Sequence, residues 1–120
     1  MPTENEPNDP DWLIDAEVRV ERYALELVEL MTFAAGAART MIRLAEAGFD
    51  RGLLVDHMTR YRGVRRQVSA AIDDYQEAIR DLRVGMIREL VDRQGYSLTE
   101  AGKRMGVTRQ AATRLYHGQG

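Results

Sequence analysis

The 120-residue chain contains no cysteine, which excludes disulfides, thiolate nucleophiles and cysteine-based zinc sites. Proline occurs only at Pro2, Pro7 and Pro10, so nothing from Asp11 onward forbids a helix outright. The two histidines, His57 and His117, lack a second histidine or acid at ligand spacing, and no metal is expected. No glycine-rich phosphate loop or nucleophile elbow is present. Asp73 and Asp74 are neighbours in sequence and so do not share a helix face. With no catalytic constellation, the chain is not read as an enzyme and no cofactor is expected. The longest charge-free run, Leu30 to Ala38, is too short to span a bilayer, and no membrane role is expected. The first residues are acidic and polar, where a signal peptide needs a basic stretch and then an apolar one. A soluble, cytoplasmic protein is the expectation. Lysine is almost absent: one Lys stands against sixteen Arg, a bias that points to a GC-rich bacterial genome.

What is present is one domain's worth of chain with an ordinary apolar content of 44% and 30% charged residues. The formal net charge is −2, and a nucleic-acid binder is usually basic. That average conceals a gradient. Residues 1–17 carry Glu4, Glu6, Asp9, Asp11, Asp15 and Glu17 and no base. Residues 97–120 carry Lys103, Arg104, Arg109 and Arg114 against Glu100 alone. Residues 1–10, poor in apolar side chains, read as a flexible acidic arm. Such an arm would shield the basic end or touch a partner.

A first helix is predicted from about Asp11 to Ala47. Val20, Ala24, Leu27, Met31, Ala34, Ala38, Met41 and Ala45 recur at alternating steps of four and three, the pattern of a coiled-coil seam. Beside it runs a second stripe of Val18, Leu25, Val28, Ala35 and Ile42. A helix apolar on most of its circumference must be covered from more than one side. Gly48 is placed to end it and Asp50 to cap its successor. That second helix carries apolar residues from Leu54 to Leu90 at threes and fours. Unbroken, it would span about 60 Å, with Gly63 and Gly85 as weak points. The expected arrangement is a long antiparallel hairpin over residues 11–78. One stripe of each helix is buried in the hairpin, and the remaining stripe pairs with a second copy. The expected dimer interface is the seam Val20, Ala24, Leu27, Met31, Ala34, Ala38 and Met41, giving a four-helix core. A monomer with the C-terminal helices folded back over the hairpin is the alternative.

Residues 97–116 read SLTEAGKRMGVTRQAATRLY. Gly95 closes the preceding helix. Ser97 and Glu100 fit a capping box, and the short helix that follows ends near Met105. Gly106 supplies a turn and Thr108 caps a helix running from Arg109 to about His117. Ala101, Met105, Val107, Ala112 and Leu115 are the inward positions, and Gly102 falls where two crossing helices leave no space for a side chain. Arg109, Gln110, Thr113 and Arg114 point outward.

This segment resembles the helix-turn-helix motif of bacterial transcriptional regulators. Gly106-Val107-Thr108-Arg109-Gln110-Ala111-Ala112 is close to their G-V-S-R-Q-A turn and recognition-helix start. The sequence departs from the motif in having glycine at 102, where alanine is more usual. The resemblance covers 97–116, extending to 79–120 if Ile79–Arg93 is the supporting helix. It implies sequence-specific binding of duplex DNA, commonly as a dimer. A major groove admits one helix, whose first residues approach base edges. Arg109 suits guanine, Gln110 suits adenine, and Thr113 suits a thymine methyl. Thr108, Lys103, Arg104 and Arg114 suit phosphates, which set register rather than sequence. Arg60, Arg62, Arg65 and Arg66 form a second basic cluster, read as flanking-phosphate contacts or as a solvated face paired with Asp56, Asp73 or Asp74. The chain stops four residues after Tyr116, so no β-hairpin wing is expected.

The fold class expected is therefore all-α: a dimerising hairpin followed by a wingless helix-turn-helix. The function expected is that of a small homodimeric regulator on double-stranded DNA. The alternative is a helical adaptor that docks onto a polymerase, recombinase or phage component and uses the helix-turn-helix for protein contacts.

Overall fold

The structure is a computed structural model that describes residues 11–119. The acidic arm predicted for 1–10 lies outside the described residues. Every element among the described residues is helical, and there is no strand. None of the helices is long and apolar enough to cross a membrane.

Helix α1 covers Trp12–Glu46. It ends at Gly48, whose φ of 80° lies in the left-handed region that costs glycine nothing. The Phe49 amide closes the turn by donating to the Leu44 carbonyl at 3.0 Å. Helix α2, Arg51–Arg60, starts where the Asp50 carboxylate accepts from the Leu53 amide at 3.0 Å. The long second helix does not continue. At Tyr61 ψ falls to 4° and its amide turns back to the Met58 carbonyl, so α2 stops and α3, Arg62–Arg88, begins. The interruption precedes Gly63 by two residues, and Gly85 lies inside an unbroken α3.

Past Arg88 the backbone widens into a π-helical turn, Glu89–Arg93, with Gln94 donating to the Glu89 carbonyl. Gly95 then turns the chain at φ 76°. Helix α4, Leu98–Met105, and helix α5, Arg109–Tyr116, complete the order.

The chain divides into two compact units. One is discontinuous and joins the stretch up to Glu21 with everything from Gln76 onward; the other is Arg22–Tyr75. The division within α3 falls between Tyr75 and Gln76, and the first turns of α1 belong with the C-terminal residues. Trp12 supplies the reason. Its indole is buried against Gly85, where an added Cβ would lie 2.6 and 2.9 Å from two ring carbons. Arg19 adds an ion pair with Asp81 at 3.0 Å. In the Arg22–Tyr75 unit, Met41, Leu54 and Ala71 are buried. A cavity of about 70 Å³ there is lined by Ala34, Ala38 and Met41 of α1 and by Met58, Tyr61 and Val64.

The seam predicted on α1 is not one surface. Met41 is buried, and Val20, Ala24, Leu27 and Ala34 are half-buried, all covered by their own chain. Met31 and Ala38 are exposed. A 3.5-residue repeat drifts by about 20° per heptad on a straight helix, so a line drawn through it passes from one face to the next.

Candidate nucleic-acid interface

The C-terminal helix pair forms from local signals. The Ser97 hydroxyl accepts from the Glu100 amide at 3.1 Å and caps α4. Glu100 does not complete a reciprocal box on the backbone; its carboxylate accepts from the Ser97 hydroxyl itself. Gly106 ends α4 at φ 75°, ψ 26°, and the Val107 amide reaches back to the Gly102 carbonyl at 2.8 Å. Thr108, in extended backbone, accepts from the Ala111 amide at 3.0 Å and starts α5.

Packing fixes the crossing. Ile87, Ala101, Ala112 and Leu115 form a buried cluster, with Met105, Val107, Tyr96 and Leu98 packed around it. All five positions read as inward lie in or against this cluster. A Cβ on Gly102 would stand 3.1 Å from the Val107 carbonyl oxygen and 3.3 Å from the Ala112 methyl. That is tighter than ordinary van der Waals contact, so the glycine is what lets the second helix come this close.

The sequence-derived contact residues divide by exposure and by prior engagement. Arg109, Gln110, Arg114 and Lys103 are exposed. Arg109 and Gln110 follow the Thr108 cap directly, at the end of α5 where amides lack intrahelical partners. Thr113 is half-buried and spends its hydroxyl proton on the Arg109 carbonyl at 2.9 Å, leaving its methyl and lone pairs for a ligand. Thr108 is exposed, and its oxygen already serves the cap. Arg104 is exposed but tied down: it donates to the Tyr96 hydroxyl, and its guanidinium lies 5.1 Å from the Tyr96 ring centre.

Several contributors have no local signal in the sequence. Arg88 donates to the Tyr116 carbonyl at 3.3 Å, placing a cation at the negative end of α5. Tyr116 donates its phenol proton to Asp92 at 2.7 Å. That hydrogen bond, together with the carboxylate's charge, holds the Tyr116 pKa above its ordinary value. These partners stand 28 and 24 residues apart, beyond any helical periodicity.

In the Arg22–Tyr75 unit, Arg60, Arg62, Arg65 and Arg66 are all exposed. No ion pair joins them to Asp56, Asp73 or Asp74 among the described residues. His57 stands against Phe49, with ring centres 6.0 Å apart, and His117 against Tyr116 at 5.5 Å. No group of three potential metal ligands occurs among the described residues.

No protein-family model, no curated protein and no solved structure matches the chain.

Proposed function

We propose that the chain is a small homodimeric regulator that binds double-stranded DNA sequence-specifically, with α4 and α5 acting as a helix-turn-helix and α5 entering the major groove. One observation carries the reading. Arg109 and Gln110 stand exposed in the first turn of a short helix whose opposite face is locked to α4 across Gly102. A rigid helix offering a two-pronged guanine donor beside an adenine-matching amide is what direct readout requires. Lys103, Arg104 and Arg114 supply positive charge on the same two helices, and Glu100 is the one acid. These cations hold phosphates and set register.

Two measurements test the reading. Binding to random duplex DNA should fall steeply as salt rises, because each neutralised phosphate releases counterions. Absence of binding even at low salt sinks the proposal. On a selected site, Arg109→Ala and Gln110→Ala should each cost about 1–3 kcal/mol and relax sequence preference. An equal loss on random DNA would instead mark these residues as phosphate contacts.

A further inference from the structure

We propose that two copies of the chain pair through the outward apolar stripe of α1 between Leu25 and Ile42, with the two α1 helices antiparallel. This rests on the dimeric half of the function proposed above and is independent of the DNA-binding half.

The stripe is Leu25, Val28, Met31, Ala35 and Ile42, with Ala38 at its edge. Leu25 is 62% exposed, Val28 61%, Met31 52% and Ile42 57%; Ala35 and Ala38 are exposed too. Single exposed apolar residues are ordinary on a protein surface. Six in succession at steps of three and four are not, because that spacing builds one continuous line along a helix. The line extends for about 27 Å. Near Ala45 it meets an open hollow lined by Phe49, Val55 and Met58 together with Asp50 and Arg51.

A second copy is the occupant because the stripe complements itself. Its N-terminal half is bulky, with Leu25, Val28 and Met31. Its C-terminal half is small, with Ala35, Ala38 and Ala45 around Ile42. Antiparallel pairing sets Val28 and Met31 against Ala38 and Ala35, with Leu25 meeting Ile42 at each end, whereas parallel pairing sets each bulky residue against itself. Charge points the same way. Glu29 lies near the first half and Arg39 near the second; Arg22 lies before the stripe and Glu46 beyond it. Antiparallel pairing brings Glu29 towards Arg39 and Arg22 towards Glu46, while parallel pairing sets each against its like. A two-fold interface demands this kind of self-complementarity.

The test uses the full chain. Light scattering at tens of micromolar should give twice 13.6 kDa. Val28→Glu and Ala35→Glu should each lower the mass to that of one chain. Phe33→Glu should leave the dimer intact, since Phe33 is 59% exposed but off the stripe. Direction is read by cross-linking, for which the cysteine-free chain needs no prior substitution. Antiparallel helices hold the two Leu25 positions about 25 Å apart axially. Leu25→Cys and Ile42→Cys chains should therefore resist a short bismaleimide when alone and cross-link when mixed, and Ala35→Cys should cross-link to itself. These cysteine variants also cover the case in which a glutamate variant fails to fold. A monomeric wild type, equal disruption by Phe33→Glu, or self-linking at both Leu25→Cys and Ile42→Cys overturns the proposal. A chain that dimerises as stated but ignores DNA sinks only the DNA-binding reading.

Discussion

Gly85 and Trp12 show how much a single missing atom can decide. Glycine inside α3 reads from sequence as a place where a helix could bend, yet α3 is unbroken there and the indole occupies the vacant position. Gly63, in the first turn of α3, has open space where its Cβ would stand. The two should respond oppositely to alanine. Gly85→Ala should destabilise by about 1–3 kcal/mol through overpacking. Gly63→Ala should stabilise by up to about 1 kcal/mol. Urea unfolding followed through the single tryptophan separates them, and equal responses would refute the packing account. Tyr116 makes a second prediction at this scale. Its pKa is raised by Asp92, so the hydrogen-bonded phenol contributes fully below its unfolded value of about 10. The contribution is lost as pH rises through the higher folded value. The difference in Tm between wild type and Tyr116→Phe should therefore stay level from neutral pH to about 9 and close above 10. A difference that ignores alkaline pH would show that the hydrogen bond is not the cause.

At the scale of elements, legibility follows the range of the cause. Asp50, Ser97, Thr108, Gly48, Gly95 and Gly106 could all be assigned their roles in advance, because a cap or a left-handed turn is decided within about four residues. The inward face of α4 and α5 was legible for the same reason: a short helix has little room to drift. The break at Tyr61 had no such signature, and Gly63 beside it drew attention to the wrong residue. Glu89–Arg93 carries nothing that marks a π turn. The seam on α1 divides between covered and exposed residues for a different reason. Alanine fits an inward or an outward face equally well, so Ala34 and Ala38 cannot say where the line between them divides. The Thr108 cap offers the element-scale test. Thr108→Ala should cost about 0.5–2 kcal/mol and weaken any activity that depends on α5. Thr108→Ser, which keeps the hydroxyl, should restore most of the loss in thermal unfolding. If Ser and Ala behave alike, the hydroxyl is not what starts the helix.

For the whole molecule, the net charge of −2 is a sum over unlike parts, and the basic excess is concentrated on α4 and α5. All-helical character could be read from the lack of proline beyond Pro10 and from the spacing of apolar residues. The division into units could not, because it turns on Trp12 meeting a residue of α3 and on an Arg19–Asp81 pair 62 positions apart. That pair has a kinetic consequence. Closing so long a loop carries an entropy cost that grows with the logarithm of its length. The turn at Gly106 closes over a handful of residues. Folding should thus begin with helix and the α4–α5 crossing, and the tryptophan should find its seat afterwards. In stopped-flow refolding the far-ultraviolet signal should lead the tryptophan fluorescence, and coincident traces would mean that the Arg22–Tyr75 stretch is already ordered when α4 meets α5. The first turn of the first helix would then be the last of its unit's helical segments to arrive, although it precedes all the others along the chain.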